Sequence, residues 1–229
     1  MNALEYMRGT VWAILVVEVA CSVCILIWWS KLNRTTRLAG GWLLAATFYG
    51  ILGKIGQYAW DSSIIVTFFW FPVSSILAFN AMASMHAPGR SRTSLRALSW
   101  LMVLGWVVST LVIETPGEYS RITSPAHAIM LAAAAAYTLI TRVEASRSDL
   151  LRDSSFVIAA FWVVYAVPTV FLSVAARLWM DSEDYAQVIY YYSFRNTIVI
   201  ASYFALLYGI WLSYDRHRTL HPSTAGASA

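Results

Sequence analysis

The chain has 229 residues, of which 59% are hydrophobic and only 12% are charged. Soluble domains usually carry about 25% charged residues, so this composition excludes an ordinary soluble domain and indicates a polytopic membrane protein. The net charge of +4 does not indicate a nucleic-acid partner, because the basic residues fall in short segments between apolar runs and membrane topology explains that pattern.

Seven apolar segments are predicted to cross the membrane, since each crossing needs about 20 residues. Closed β-barrels are the only other spanning structure, but their strands alternate apolar and polar residues, and these runs do not. We therefore predict an all-α fold, a seven-transmembrane-helix bundle over residues 1–214, followed by a disordered cytoplasmic tail over residues 215–229. The predicted spans are residues 11–29, 41–60, 63–87, 97–113, 126–142, 155–179 and 188–213.

The charges between the segments predict the orientation of the bundle. Of the 16 basic residues, 11 fall on the side that holds the carboxyl-terminal tail. Because cytoplasmic loops carry an excess of lysine and arginine, we expect the amino terminus outside, the carboxyl terminus in the cytoplasm, and the protein in a plasma (inner) membrane of bacterial type. The opposite side collects seven of the 12 acidic residues: Glu5, Asp61, Glu114, Glu118, Asp181, Glu183 and Asp184.

Aromatic residues and prolines inside the segments predict local features. Tryptophans near segment ends, Trp42 among them, are expected to be anchors at the headgroup level. Pro72 in the third helix and Pro168 in the sixth are expected to kink their helices. Neither the tryptophans nor the prolines predict a catalytic or ligand-binding role.

Three ionisable residues lie inside apolar segments: Glu18 in the first, Lys54 in the second and Arg195 in the last. Their predicted depths agree to within about one helical turn, and helices 1, 2 and 7 adjoin in a sequential ring. Ionisable groups inside a membrane require partners. We therefore predict one buried ion-pair cluster, in which Glu18 bridges the two cations, either as a structural clamp or as part of a ligand site.

Polar residues at helical spacing extend this cluster towards a pocket that faces outward. Two cations and one carboxylate leave an excess positive charge, which a small anionic ligand or a lipid headgroup would neutralise, unless the lysine is neutral. The predicted ligand-binding residues are Glu18, Lys54, Gln57, Tyr192, Arg195 and Asn196, with Tyr165 and Thr169 from the sixth helix.

Several classes of site are not expected. The four histidines fall at segment ends or in the tail, so none is predicted at a depth where it could activate a serine, and the protein is not expected to be an enzyme. Cys21 and Cys24 lie inside an apolar segment and predict no metal site. The architecture resembles that of microbial rhodopsins, but such retinal proteins need a Schiff-base lysine in the middle of helix 7, which is absent here. The sequence identifies no cofactor.

Three functions remain open on these grounds. The first is a sensor or receptor-like protein that binds a small or lipidic ligand and signals through a cytoplasmic or membrane partner protein. The second is a small-solute transporter, for which kinked helices and a charged site near the midplane are typical. The third is a non-catalytic accessory subunit of a larger membrane complex.

Overall fold

The computed structural model describes five stretches of the chain, residues 3–60, 64–114, 122–145, 149–181 and 185–220. These stretches are helical and contain no strand, as the sequence predicts. Two short 3₁₀ helices, Trp29–Lys31 and Leu150–Arg152, lie between longer helices. The α-helices are α1 (Ala3–Trp28), α2 (Arg34–Trp60), α3 (Ile64–Met85), α4 (Arg90–Val112), α5 (Thr123–Ala145), α6 (Ser154–Asp181) and α7 (Tyr185–Leu220).

Seven helices within the described stretches are long and apolar enough to cross a membrane. This finding supports an integral membrane protein with a helix-bundle fold. Six of the seven helices extend beyond the predicted spans, since arginine and lysine are good helix formers whose long side chains reach the headgroup level, whereas α3, Ile64–Met85, lies within the predicted 63–87. α2 begins at Arg34 rather than at residue 41, and α7 ends at Leu220 rather than at residue 213.

The helical part of the chain therefore includes the first residues of the predicted tail, since α7 continues past residue 214 to Leu220. The remaining tail residues, 221–229, lie outside the described residues. So do four of the acidic residues predicted on the outer side: Asp61, Glu118, Glu183 and Asp184.

Side-chain oxygens satisfy backbone N–H groups at several helix starts, where the helix itself offers no acceptor. Oδ1 of Asn33 accepts a hydrogen bond from the Thr36 amide at the start of α2. Glu114 caps α5 more extensively: its carboxylate accepts from the amides of Ile122 and Thr123, at 2.7 and 3.2 Å, and from the Thr123 hydroxyl at 2.6 Å. A carboxylate in this position is also favoured by the helix dipole.

The helices form a ring in which chain neighbours pack together and α7 closes against α1. α3 also packs against α5, while α4 lies outside, mainly against α3. Large apolar residues on α4, including Trp100, Leu104 and Leu111, are exposed. In a bilayer this face lies against lipid tails, which are as apolar as leucine.

An aromatic cluster fills the centre of the bundle. Trp42 on α2 is fully buried, and its ring centre lies 5.0 Å from that of Tyr165 and 5.5 Å from that of Phe161, both on α6. The prediction that Trp42 is a headgroup anchor is therefore wrong. Because α2 begins at Arg34, eight residues earlier, Trp42 lies about 12 Å inside the helix at about 1.5 Å per residue.

Candidate functional site: a polar cleft among α1, α2 and α7

A cavity of about 350 Å³ opens among α1, α2 and α7. These helices adjoin because α7 closes the ring against α1 and also touches α2. Residues predicted from the sequence to bind a ligand line this polar cleft: Glu18, Lys54, Gln57, Tyr192, Arg195 and Asn196. The other two predicted residues, Tyr165 and Thr169, line a second cavity described below.

Glu18 is buried on α1, with 7% of its surface exposed. Its Oε1 accepts a 2.6 Å hydrogen bond from the hydroxyl of Tyr203 on α7. Its backbone carbonyl accepts a bond from the Thr47 hydroxyl on α2 at 3.3 Å, and Thr47 also contacts the Ser22 hydroxyl at 2.8 Å. Glu18 therefore connects α1 to both neighbouring helices through neutral hydroxyl groups.

The predicted ion-pair cluster is not supported. Among the described residues, neither Lys54 nor Arg195 forms an ion pair with Glu18, and the recorded ion pair joins Arg152 to Asp149. The prediction rested on depth, on the adjacency of helices 1, 2 and 7 and on helical spacing, which place the three groups near one another without deciding which side chains touch. The Tyr203 hydroxyl takes the position next to the carboxyl group, and both cations point to other partners.

Lys54 lies on the α2 wall of the cleft, and its ammonium group is near the edge of the cleft. Its Nζ is 3.4 Å from Oε1 of the exposed Gln57. The same nitrogen lies 5.4 Å from the ring centre of Trp12 on α1, which is a cation–π distance. Among the described residues, no carboxylate forms an ion pair with the ammonium group of Lys54.

Arg195 lies on the α7 wall and is partly buried. Its Nη1 is 3.3 Å from Oδ1 of Asn196, and its Nη2 is 3.4 Å from the hydroxyl oxygen of Thr169 on α6. The guanidinium carbon lies 5.8 Å from the ring centre of Tyr165. Its Nε is buried and has no hydrogen-bond partner among the described residues. Among the described residues its direct contacts are to neutral groups, and the Glu18 carboxyl group of the same cleft interacts with it electrostatically at longer range.

A second buried network lies deeper in the bundle and was not predicted. Nε2 of His127 on α5 is 3.2 Å from the Ser74 hydroxyl, and its Nδ1 is 2.9 Å from the Ser75 hydroxyl, both on α3. Nε1 of Trp42 donates to Ser74 at 2.8 Å. The prediction that every histidine lies at a segment end or in the tail is wrong for His127, which is 6% exposed.

The missed network follows from an error in a helix start. Residue 126 was the predicted beginning of the fifth span, which placed His127 at its edge, whereas α5 begins at Thr123. Alanines such as Ala128 are buried in α5, and small residues of this kind let neighbouring helices approach closely. The adjacent pair Ser74 and Ser75 on an otherwise apolar helix was the available signal.

The His127 network joins α2, α3 and α5 and has no carboxylate in it. Both ring nitrogens of His127 contact serine hydroxyls, so the two polar atoms of this buried imidazole each have a hydrogen-bond partner. Within the described ranges, no group of three or more histidine, cysteine, aspartate and glutamate side chains is arranged to hold a metal ion. Among its described lining residues, the polar cleft holds two cations and one carboxyl group and therefore has an excess of positive charge.

Comparison with known proteins adds no assignment. No family model, no curated protein and no solved structure matches the chain. A function for this protein therefore has to be argued from the residues of the cleft.

Proposed function

We propose that this protein is a sensor or receptor-like integral membrane protein whose polar cleft binds a small anionic ligand. The observation that carries the proposal is the excess positive charge in the cleft. Among the described residues, Arg195 and Lys54 both line it and neither forms an ion pair, while the one carboxyl group of the lining, Glu18, accepts a hydrogen bond from Tyr203 and can offset only one of the two charges. Ionisable groups at membrane depth are costly and typically mark a functional site.

Arg195 is the residue that best fits the anion. Its guanidinium has two long contacts to neutral oxygens, on Asn196 and Thr169, and a buried Nε without a partner among the described residues. A guanidinium presents several N–H donors in a fixed plane that matches a carboxylate or a phosphate. An anion bound there would satisfy Nε and neutralise the charge in one step.

Lys54 is the second cation, placed across the cleft on α2. Its contacts with Gln57 and Trp12 hold the ammonium near the edge of the cavity. A cation at the mouth raises the local concentration of anions, since charged clefts with apolar walls focus the electric field. Lys54 would therefore attract the ligand and Arg195 would fix it.

A sensor also requires that the ligand favour one of two conformations. An anion that contacts both Lys54 and Arg195 would link α2 to α7, which otherwise meet through few side chains. The hydrogen bond from Nδ2 of Asn196 to the Thr10 hydroxyl, at 3.3 Å, connects α7 to α1 beside the same cleft. We propose that the cleft faces outward, and that the signal passes to a partner protein on the cytoplasmic side.

Native mass spectrometry of protein gently extracted from its own membrane tests this proposal. We expect a bound small anion in the wild-type protein and its loss in Arg195→Gln. Arg37→Gln is the matched control, because Arg37 lies at the start of α2 and already bonds the carbonyls of Trp29 and Ser30. An empty wild-type cleft, together with no thermal stabilisation by acetate, phenylacetate or inorganic phosphate, would refute the proposal.

The same purified protein distinguishes a sensor from the two other functions. If the anion accumulates inside proteoliposomes in a manner that depends on Arg195, the cleft belongs to a transporter. If the protein leaves its membrane only as part of a stoichiometric complex and its cleft is empty, it is an accessory subunit. A sensor binds the anion without accumulating it.

A further inference from the structure

A second cavity, of about 190 Å³, lies beside the polar cleft but deeper in the bundle, among α3, α5, α6 and α7. Most of its walls are apolar or aromatic: Trp70, Phe71, Leu131, Tyr165, Ala166 and Leu172. We call it the inner chamber. His127 also lines it, but both of its ring nitrogens contact serine hydroxyls.

Arg195 and Tyr192 border both the polar cleft and the inner chamber. The guanidinium of Arg195 lies over the ring of Tyr165 and contacts the hydroxyl of Thr169, and both of these residues line the chamber. The guanidinium group of Arg195 therefore lies at the junction of the polar cleft and the inner chamber. Among the described residues of the chamber wall, Arg195 and His127 are the basic groups, and none is acidic.

The size of the inner chamber limits what can enter it. A cavity of about 150 Å³ with an apolar lining is large enough to bind benzene, so a chamber of about 190 Å³ has room for one aromatic ring or a short branched chain. Polar cofactors and long acyl chains exceed this volume. Aromatic walls also favour a ring, through edge-to-face and offset contacts.

We infer that the ligand is an amphipathic monoanion, with a carboxylate at Arg195 and one compact aromatic or branched aliphatic group in the inner chamber. This inference rests on the proposed function, because it names the class of anion that the cleft binds. Burial of the apolar group would add affinity that a small hydrophilic anion lacks. The combination of a cation and an adjoining chamber with mostly apolar walls would select against small hydrophilic anions and against neutral apolar solutes.

Isothermal titration of the full chain in neutral-lipid nanodiscs tests the inference with three probes: acetate, phenylacetate and phenylacetamide. We expect phenylacetate to bind at least about tenfold more tightly than acetate, because its ring leaves water. We also expect phenylacetamide, which has the same ring without the charge, to bind at least about tenfold more weakly than phenylacetate.

Two alanines on α6 provide matched variants. Ala166 lines the inner chamber and is fully buried, whereas Ala160 is half-buried and does not line it. Ala166→Val should reduce phenylacetate affinity several-fold and leave acetate affinity unchanged, and Ala160→Val should change neither. The three-probe series on the wild-type protein gives a result even if Ala166→Val does not fold.

The outcomes separate this inference from the proposed function. If acetate and phenylacetate bind with equal affinity, and binding of both depends on Arg195, the proposed anion site is supported. The inner chamber then does not hold any part of the ligand, and the inference fails. If phenylacetamide binds as tightly as phenylacetate, the carboxylate is not recognised and the inference fails. If no anion binds, the proposed function and the inference fall together.

Discussion

Tyr203 on α7 donates a 2.6 Å hydrogen bond to the carboxyl group of Glu18 on α1, across 185 positions of sequence. Both side chains are buried, with 3% and 7% of their surfaces exposed. The bond joins the first and last helices of the ring, beside the cleft that holds Lys54 and Arg195. The stability of the bundle should therefore depend on this hydroxyl rather than on an ion pair.

Tyr203→Phe should lower the free energy of unfolding by about 1.5 to 3 kcal/mol, because it removes the partner of a buried carboxyl group. Glu18→Gln should cost less than about 1.5 kcal/mol, since its amide oxygen still accepts the hydrogen bond from Tyr203. Chemical unfolding in detergent micelles, followed by tryptophan fluorescence, measures both values.

Tyr208→Phe is the control for this pair, because Tyr208 is exposed on the same helix and has no recorded bond to Glu18. We expect it to be neutral. If Glu18→Gln instead costs about 3 to 5 kcal/mol, the value for breaking a buried ion pair, then the cations contact the carboxylate and the geometry described above is wrong.

Gly50→Ala tests the close packing of α2 against Glu18. A Cβ atom at Gly50 would lie 3.1 Å from Oε2 of Glu18, whereas one at Gly41 on the same helix would meet only ordinary contacts, at 3.8 and 3.9 Å. Replacing a helical glycine by alanine normally stabilises a helix by about 0.8 to 1 kcal/mol. We expect Gly41→Ala to show this gain in thermal unfolding and Gly50→Ala to lose it. Equal gains in both variants would mean that the carboxyl group does not face Gly50.

The sequence predicts the number and type of the helices well, because a run of about 20 apolar residues has few alternatives in a membrane. It predicts their ends less well. Arg34 and Arg90 begin helices although the apolar patterns start later, since charged residues at the headgroup level are compatible with helix but lower the hydropathy. The misplacement of Trp42 follows from the start of α2 at Arg34, and that of His127 follows from the start of α5 at Thr123.

The sequence predicts which residues lie near the candidate site, but it does not predict which hydrogen bonds they form. Depth along each helix places Glu18, Lys54 and Arg195 around one cavity. Helix rotation and side-chain rotamers decide which of these groups are in contact. The depth of a residue along its helix specifies neither of them. Tyr203 lies two turns after Arg195 on α7, so the sequence predicts that both residues lie on the same face of the helix. The sequence does not predict the hydrogen bond between Tyr203 and Glu18.

Ser74→Ala should be more damaging than Ser75→Ala in the network around His127. Among the described residues, Ser74 contacts both Nε1 of Trp42 and Nε2 of His127, and Ser75 contacts Nδ1 of His127. Each buried group left without a partner costs about 1 to 3 kcal/mol, so we expect losses of about 2 to 6 kcal/mol for Ser74→Ala and about 1 to 3 kcal/mol for Ser75→Ala. Denaturant unfolding in detergent provides the comparison.

Ser202→Ala is the control for this network. Ser202 is equally buried, but its hydroxyl donates to the carbonyl of Val199 in its own helix, where the carbonyl keeps its backbone partner. We expect a loss below about 1 kcal/mol, the low end for a single hydrogen bond. Equal losses in Ser74→Ala and Ser202→Ala would indicate that Trp42 and His127 do not depend on Ser74.

His86, just after the end of α3, should make stability depend on pH. Its Nε2 is 3.3 Å from the Thr138 hydroxyl and its ring stacks on Tyr137. Partial burial, and secondarily the positive charge of Arg142, lower the pKa of His86. The unfolded chain therefore binds a proton more readily than the folded one, so the stabilisation is complete above the unfolded pKa of about 6.5 and is lost as pH falls below it.

Thermal unfolding between about pH 7.5 and pH 5.5 measures this effect as a difference between the wild-type protein and His86→Gln. The glutamine amide can still bond Thr138 but does not titrate, so the melting temperature of the wild-type protein should fall relative to that of the variant as the pH decreases. His217→Gln, an exposed histidine near the end of α7, should follow the wild type. A constant difference between the wild type and His86→Gln across this range would show that His86 is as easily protonated in the folded protein as in the unfolded chain.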